Sequence, residues 1–383
     1  MSCVSEPGST EGDPGIQPGS EQSLAKGGPG AQPGSGQSFA EGSPRVIVAG
    51  ATGFAGALAA HLLWRHPGFE LAGVTGRSEV GRSLEEVYPR YRVPLTIEEL
   101  DIDRLTNESE VGAGIDAAVV AYPHAASAPV VAALRACGVR VCDLSADFRL
   151  RELATYEQWY GTHPHPELLA EAVYGLTELH REAIHDAGLV ATPGCYPTAS
   201  TLALAPLARA GLIADLVIDA KQGLSGAGRA ASWQTHFSNS GENILPYNIV
   251  HHRHTPEIEE QLDQLDPTHP RLRVQFTPHL VPLDQGELVD CYVTPTRPVA
   301  QDELNAMYED AYAAETFVEI APEPAEVRDV RETNICRLHV ALSEHTGKIV
   351  VLSAIDNLWK GTSSQAVQNL NVMFGLPETE GLS

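Results

Sequence analysis

The sequence predicts an α/β protein in which a Rossmann-type, doubly wound parallel sheet is joined to an α+β domain built on a mixed sheet. From Arg45 onward, strand patterns alternate with helical patterns, which is the repeating unit of a doubly wound sheet. Past Cys195 the strand-like segments have few helices between them, which is typical of a mixed or antiparallel sheet. A glycine-rich turn after the first strand favours the same fold class.

The elements of the first domain follow in order from Arg45. The predicted strands are RVIVAG, ELAGVTG, IDAAVVAYP, VRVCDL and finally GLVATPG, and the helices among them are GFAGALAAHLLWRHP and AASAPVVAALRACG. The last helical run, GTSSQAVQNLNVMFG, is expected to return to this domain. The first domain therefore comprises residues 45–194 together with 356–383.

The second domain, residues 195–355, is predicted from five strand-like segments: LVIDAKQG, RVQFTPHLVPL, ELVDCYVTP, ICRLHVALSE and KIVVLSAID. Residues 1–44 differ from both domains, because 24 of the 44 are Gly, Pro or Ser. Such a segment buries too little apolar surface to offset its chain entropy, so we expect a disordered tail.

Composition argues against several classes of function. A net charge of −25, from 50 acidic and 25 basic residues, repels nucleic acid and anionic lipid, so neither is an expected partner. The chain shows no apolar run of the roughly 18 residues that span a bilayer and no secretory signal. Without an export signal, the six cysteines are expected to be reduced thiols of a cytoplasmic protein.

The turn GATGFAG, Gly50–Gly56, predicts a dinucleotide site, because glycines permit a tight turn and the helix that follows attracts a pyrophosphate. Its spacing is G-x-x-G-x-x-G rather than the commoner G-x-G-x-x-G, so a plain turn is the alternative. The second strand ends at Arg77 and Ser78, with no acid in AGVTGRS. This pair suits a 2′-phosphate and predicts NADP, unless Arg77 is only a solvated surface residue.

Cys195 lies in ATPGCYPTAS, at the start of a predicted helix. There the helix dipole and the free backbone N–H groups favour a thiolate and could receive an oxyanion. On local sequence alone, a buried and unreactive thiol fits equally well.

A thiolate enzyme often needs an acid–base partner, and the segment HHRHTPEIEEQL offers His254. Thr255 is the predicted N-cap and Pro256 the first residue of a second helix. Arg253 and the helix dipole both disfavour imidazolium, which keeps His254 available as a neutral base. The histidines of this segment could instead be solvated, whereas no familiar ligand spacing supports a metal site.

Two further segments hold cations. The glycine-rich segment KQGLSGAGR, Lys221–Arg229, either closes on an anionic ligand or the nicotinamide, or is an ordinary loop. Arg149 and Asp147, in DLSADFR, lie near the end of a predicted strand, where doubly wound sheets bind ligands. The alternative there is a structural ion pair between these two residues.

Together these segments resemble the N-acetyl-gamma-glutamyl-phosphate reductase family of the aspartate-semialdehyde dehydrogenase superfamily. From about Arg45 to Gly375, the chain shows in the family's order GATGFAG, DLSADFRL, ATPGCYPTAS, SGAGR, HRHTPEI and DNLWKG. The resemblance implies NADPH-dependent reduction of N-acetyl-L-glutamyl 5-phosphate to the 5-semialdehyde and phosphate through a cysteine thioester, a step of arginine biosynthesis. It also implies a homo-oligomer, a dimer or tetramer, formed through the sheet of the catalytic second domain.

The resemblance also implies roles for particular residues. Cys195 is the implied nucleophile and His254 the acid–base residue. The candidates for binding the substrate's carboxylate or phosphate are Arg149, Arg253 and Lys221. The implied NADP-binding residues are Gly50, Thr52, Gly53, Phe54, Ala55, Gly56, Arg77, Ser78, Ser225, Gly226 and Asn357.

The sequence departs from the family's pattern at two positions. Ala125 stands in YPHA where the family often has L-P-H-G, and Ser364 stands in KGTSSQA at the last glycine of K-G-A-A-G-Q-A. Both residues are expected near the cofactor cleft, where they would alter contact with the nicotinamide.

Other functions are compatible with parts of the pattern. One alternative keeps the chemistry and takes aspartyl phosphate as substrate, but the motifs PGCYPTAS and HRHTPE argue against it. Another alternative is reduction of an aminoadipyl phosphate bound to an acidic carrier protein, which this acidic chain would repel. A non-catalytic NADP or redox sensor would use Cys195 but would not need His254. A Cys–His hydrolase would not need the dinucleotide turn.

Overall fold

Two seven-stranded sheets organise the chain. The computed structural model describes residues 42–101, 114–266 and 271–382, so nearly all of the predicted tail lies outside the described residues. The first sheet is parallel throughout, with the order β3-β2-β1-β4-β5-β7-β6. Its strands are β1 (Arg45–Ala49), β2 (Glu70–Thr75), β3 (Ile97–Glu98), β4 (Ala117–Val120), β5 (Arg140–Asp143), β6 (Val173–Tyr174) and β7 (Leu189–Ala191).

The strand order reverses between β1 and β4, which is the arrangement of a doubly wound sheet and places a ligand crevice at the carboxyl ends of these two strands. β1 and β4 are continuous apolar runs because helices cover both faces of the sheet. The helices of this part are α1 (Phe54–Trp64), α2 (Leu84–Val87), α3 (Ala128–Ala136), α4 (Leu153–Tyr160) and α5 (Thr177–His185).

The second sheet is mixed, with the order β12-β13-β14-β11-β8-β10-β9. Its pairs β8–β10 and β12–β13 are parallel and the others antiparallel. The strands are β8 (Ile213–Gly223), β9 (Leu245–Pro246), β10 (Val274–Val281), β11 (Glu287–Pro295), β12 (Val318–Ile320), β13 (Cys336–Ser343) and β14 (Lys348–Ile355). The helices here are α6 (Cys195–Arg209), α7 (Phe237–Ser240), α8 (Thr255–Leu265), α9 (Gln301–Tyr312) and α10 (Val327–Val330). The predicted fold class is confirmed.

Helix α6 forms the centre of the second core, packed between the sheet and α8. Every residue from Tyr196 to Ala208 is buried. Pro206 has no N–H to donate to the Leu202 carbonyl one turn earlier, and the Tyr312 hydroxyl of α9 donates to that carbonyl instead. A helix with a proline in its interior therefore stays continuous, and Cys195 is held at its first position.

The chain returns to the first sheet at its end. A π-helical turn (Trp359–Ser363) leads into α11 (Ser364–Met373), which is buried along its whole length. Its apolar residues share a core with α1, in which Val367 and Leu370 pack with Leu58. No helix in the described part of the chain is both long and apolar enough to cross a membrane.

Candidate active site

The turn between β1 and α1 is built on close backbone approach. Gly50 has φ +94, and a Cβ there would lie 2.7 Å from the Ala121 carbonyl oxygen of the neighbouring strand end. A Cβ on Gly56 would lie 2.2 Å from the Gly50 carbonyl oxygen. Both contacts are too short for any side chain, so these two positions require glycine.

A cavity of about 630 Å³ opens beside this turn, at the predicted crevice. Among the predicted cofactor residues, its walls contain Gly50, Thr52, Gly53, Arg77 and Ser78. The others of this turn, Phe54, Ala55 and Gly56, begin α1.

The polar groups of this cavity suit an anion. The Arg77 guanidinium lies 4.9 Å from the centre of the Tyr122 ring and has no carboxylate partner among the described residues. Arg229, which the sequence did not single out for this site, donates to the Thr52 carbonyl oxygen at 3.0 Å. An acid does stand next to Ser78: Glu79, which pairs with Arg229 at 2.8 Å and with Arg82 at 2.6 Å. Because both its partners are cations, this carboxylate is neutralised.

A second cavity, of about 830 Å³, holds the predicted nucleophile. Its walls include Cys195, His254, Arg149 and Arg253. The Cys195 sulfur accepts a hydrogen bond from Gln222 Nε2 at 2.8 Å. A Cβ on Gly361 would lie 2.8 Å from the Cys195 Cβ, so the glycine of DNLWKG lets the π-helical turn pack directly behind the nucleophile.

The Cys195 thiol is not ionised by its place at the helix N-terminus. Desolvation of the sulfur, followed by the carboxyl of Glu287, raises its pKa well above the ordinary value. The Tyr196 N–H and the Gln222 amide act in the opposite direction but are weaker. The backbone N–H at the helix start therefore favours the thiolate, but desolvation of the sulfur is the larger effect.

His254 is a neutral imidazole, as expected, but the cause differs from the predicted one. Desolvation and then the charge of Arg149 lower its pKa to about 3. Arg253 acts instead on His252, whose pKa is lowered to about 2 by desolvation first, then by His254 and by Arg253. His254 is itself the N-cap of α8, one residue before the predicted cap, and its Nδ1 atom has no hydrogen-bond partner among the described residues.

Glu257, in the first turn of α8, ties this helix to the start of α6. Its Oε1 atom accepts hydrogen bonds from the Gly194 backbone N–H at 3.0 Å and from the Tyr174 hydroxyl at 2.9 Å. Its Oε2 atom pairs with Arg149 at 3.4 Å. Because Gly194 precedes Cys195 and Glu257 follows His254, one buried carboxylate fixes the spacing of the two predicted catalytic residues. In the sequence, Glu257 indicates only the start of a helix.

Comparison with known proteins agrees with this geometry. Residues 45–187 match the family described as semialdehyde dehydrogenase, NAD binding domain, and residues 195–357 match semialdehyde dehydrogenase, dimerisation domain. The N-acetyl-gamma-glutamyl-phosphate reductase of Desulforudis audaxviator is 49% identical, over 88% of this chain and 97% of its own length. That of Moorella thermoacetica is 47% identical, over 88% and 96%. The chain belongs to the N-acetyl-gamma-glutamyl-phosphate reductase family.

Solved structures show the same fold at lower identity. Aspartate semialdehyde dehydrogenase II from Vibrio cholerae has a TM-score of 0.65 and 18% identity, over 86% of this chain and 98% of that one. The aspartate semialdehyde dehydrogenase with NADP from Candida albicans has a TM-score of 0.64 and 12% identity, with the same coverage. The fold of this reductase family member is thus the two-domain fold of the semialdehyde dehydrogenases.

The two arginines predicted to bind substrate, Arg149 and Arg253, differ in exposure and in how many of their N–H groups already have partners. Arg149 is buried and donates to the backbone carbonyls of Thr192 at 2.8 Å and Leu144 at 2.7 Å, which leaves the Nη1 side toward Glu257 and the cavity. The alternative of an ion pair between Arg149 and Asp147 is wrong. Arg253 is exposed, 5.4 Å from the centre of the Tyr160 ring, and is the more accessible cation of the cavity.

Lys221 does not lie with the other predicted substrate residues. Its Nζ pairs with Asp290 at 2.6 Å and Asp219 at 3.2 Å. These three residues lie on the face of the second sheet opposite to the helices, whereas the next residue, Gln222, contacts Cys195. Because side chains alternate along a strand, the adjacent residues Lys221 and Gln222 lie on opposite faces of the sheet, and only Gln222 is on the face of the site. The structure does not support the prediction that Lys221 binds substrate.

The remaining predicted cofactor residues stand around the loop after β8. Gly226 lines the Cys195 cavity, and a Cβ there would lie 2.2 Å from the Gln222 side chain. Asn357 is buried, donates to Ser225 Oγ at 3.0 Å and accepts from the Gly286 N–H at 2.7 Å. In this arrangement Asn357 and Ser225 brace the loop, and their contact with a cofactor stays a prediction.

The two departures from the family pattern have different surroundings. Ala125 has φ +62, in the left-handed region that favours glycine, and its N–H donates to Asp147 Oδ1 at 2.7 Å. Ser364 is buried and donates to Asn334 Oδ1 at 2.6 Å. Ser364 therefore lies in the core and lines neither cavity, so the expectation that it stands at the cofactor cleft is wrong.

Proposed function

We propose that this chain reduces N-acetyl-L-glutamyl 5-phosphate to N-acetyl-L-glutamate 5-semialdehyde and phosphate, with NADPH as the hydride donor. Curated relatives named for this activity are 43–49% identical over nearly their whole length. The observation that carries the proposal is one cavity that holds a thiol at a helix N-terminus, a neutral imidazole and two guanidinium groups.

The thiol and the helix start supply the acyl-transfer chemistry. The Cys195 sulfur attacks the acyl carbon, a C–S bond forms, and the bond to the phosphate oxygen breaks to leave a thioester. The Cys195 N–H, at the first helical position, has no partner in the helix and would donate to the oxyanion that forms. Arg149 and Arg253 suit the phosphate or carboxylate of the substrate, because guanidinium groups pair with either in a bidentate way.

The residues of the first cavity fit NADP. When bound, NADPH supplies the hydride that reduces the thioester. Gly50 and Gly56 leave the backbone open for a pyrophosphate at the start of α1, and Arg77 offers a guanidinium for a 2′-phosphate. The Candida albicans aspartate semialdehyde dehydrogenase of the same fold was solved with NADP, which supports the same cofactor here.

His254 moves the proton of the reacting oxygen. At working pH its imidazole is neutral, so it can donate a hydrogen bond from one ring nitrogen and accept a proton on the other. In the direction of semialdehyde oxidation it removes the proton from the thiohemiacetal hydroxyl. In the direction of reduction, a proton that His254 has taken up from solvent passes to the oxyanion as it forms. That proton returns to His254 when the hydroxyl becomes the carbonyl of the semialdehyde and the C–S bond breaks.

We further propose that the chain acts as a homo-oligomer, a dimer or tetramer, through the second sheet. Residues 195–357 match a dimerisation domain, and the face of this sheet without helices carries half-exposed residues such as Val217 and the more exposed Tyr292. Cys142, Cys195, Cys291 and Cys336 are free thiols, which supports work in the reducing cytoplasm. Light scattering after gel filtration measures the assembly, and a monomer would contradict it.

The function is tested in the reverse direction, with N-acetyl-glutamate semialdehyde, phosphate and NADP, by the appearance of NADPH. We expect a rate that requires phosphate, is lost in Cys195→Ala and falls about 10²–10⁴-fold in His254→Asn. Cys137→Ala removes a thiol outside the site and is the matched control. NAD and aspartate semialdehyde serve as comparison substrates. Turnover that persists without Cys195 would contradict the mechanism, and preference for aspartate semialdehyde would contradict the substrate.

A further inference from the structure

A buried carboxyl group lies beside the nucleophile. Glu287 is the first residue of β11, and it pairs with Gln222 of β8 on one side and Ile355 of β14 on the other. Its side chain is completely buried. Gln222 donates to the Cys195 sulfur, so the pairing of these two strands brings the Glu287 carboxyl to the same thiol.

This carboxyl has no structural partner that would account for its burial. Neither of its oxygens has a hydrogen-bond partner among the described residues. The polar group that interacts with it most strongly is the Cys195 thiol. The residues that follow on the same face of β11 are Val289, Cys291 and Val293, all buried and apolar. An apolar side chain would therefore suit packing at position 287 better than a carboxyl does.

The surroundings make Glu287 a stronger base than the imidazole of the site. Burial raises its pKa to about 8, whereas the pKa of His254 is about 3. No cation is among the groups that act on it. The titratable groups that interact with Glu287 are Cys195 and Tyr196 of α6, Tyr247, Cys336 of β13 and Asp356. Of these groups, the Cys195 thiol is the one that must lose a proton during the reaction.

We propose that Glu287 is the proton acceptor of Cys195. As the sulfur attacks the acyl carbon, the S–H bond breaks and an O–H bond forms on the Glu287 carboxylate, while the C–S bond forms and phosphate leaves. When the semialdehyde departs, the C–S bond breaks and the carboxylic acid returns its proton to the thiolate. The proton on Glu287 returns to Cys195 over the cycle, and the leaving phosphate takes from solvent the one proton that the overall reduction consumes. The proposal rests on the proposed function for its acyl-transfer step.

Coupling between the two groups has a signature that does not depend on substrate. Because both groups are desolvated in one place, the pair holds one negative charge far more readily than two. The fraction of thiolate then rises tenfold per pH unit until the pair has lost its first proton, near pH 8. Above that pH the fraction levels off, because further loss of a proton requires a second charge in the same site.

The first experiment is alkylation of the free enzyme by iodoacetamide between pH 6 and 10, with the Cys195 peptide quantified by mass spectrometry. In wild type we expect the alkylation rate to rise tenfold per pH unit and to level off near pH 8. In Glu287→Gln the rate should keep rising through pH 9, because the uncharged amide takes no part in the ionisation. Glu319→Gln, on the exposed part of β12, is the matched control and should follow wild type.

The second experiment is steady-state kinetics. We expect Glu287→Gln to lower kcat/KM about 10²–10⁴-fold, the usual contribution of a positioned base, with an unchanged KM for NADP. Glu287→Asp should recover part of the rate and restore the break in the alkylation profile.

A wild-type alkylation rate that rises without a break through pH 9 would overturn the proposal. A kcat/KM of Glu287→Gln within twofold of wild type would overturn it as well. If the Gln variant does not fold, the wild-type profile decides. If wild type turns over no acyl phosphate or semialdehyde but its alkylation profile breaks near pH 8, the proposed function fails while proton transfer from Cys195 to Glu287 is supported.

Discussion

Gly194, the residue before the nucleophile, provides a sharp test of the site because an added methyl group would meet the catalytic base. Its φ of −68 and ψ of 157 are ordinary for any residue, so Gly194→Ala causes no backbone strain. The new Cβ would lie 2.5 Å from His254 Nε2 and 2.7 Å from His254 Cε1. It would also lie 3.0 Å from Arg149 Nη1. Ordinary contact then requires the imidazole to move by about 1 Å, which in a positioned site costs roughly 10²-fold in rate.

The assay for Gly194→Ala is semialdehyde oxidation by NADP, with thermal unfolding measured on the same samples. We expect kcat/KM to fall about 10²-fold while iodoacetamide still alkylates Cys195. Gly73→Ala is the matched control, because a Cβ there would meet Ile47 Cγ2 at an ordinary 3.7 Å. A Gly194→Ala enzyme within threefold of wild type would refute the inference that His254 is held against this glycine.

Two further predictions concern stability. Ala125→Gly removes the cost of a left-handed alanine at φ +62 and should raise the free energy of unfolding by about 1 kcal/mol, measured by urea denaturation; a loss of stability would contradict the backbone strain. His252 has a folded-state pKa of about 2, so below about pH 6.5 the unfolded chain binds a proton that the folded chain does not, and stability falls as the pH drops. His252→Asn should therefore reduce the slope of unfolding free energy between pH 6 and 4 by about 1.4 kcal/mol per pH unit, and an unchanged slope would contradict the buried neutral ring.

The sequence allows the fold class and the place of Cys195 at the start of a helix to be predicted, because both depend on local patterns. Alternation of apolar strands and helices specifies the doubly wound sheet, and Gly194, Cys195 and the apolar run after them specify the start of a long helix. His254 is likewise marked by the Thr-Pro-Glu that follows it. Such signals act over a few residues, so a single sequence contains them.

The partners of Cys195 are set by strand register, which local patterns do not reveal. Gln222 and Lys221 are adjacent in the chain, yet only the first faces the thiol, because the side chains of a strand alternate between its two faces. Glu287 reaches the thiol because β11 pairs with β8 in one particular register. Local sequence leaves the ionisation of Cys195 open for the same reason: the helix start is visible in the sequence, whereas the enclosing side chains come from distant segments.

The return of α11 to α1 also bears on how this chain is made. Residues 54–64 and 364–373 share one core, so the part of α1 that contacts α11 is covered only when almost the whole chain has left the ribosome. During translation at roughly 5–20 residues per second, this part of α1 stays uncovered for about 15–60 seconds. A nascent chain of this architecture needs protection by chaperones over that interval, and a truncation before residue 364 should aggregate rather than yield a smaller nucleotide-binding protein.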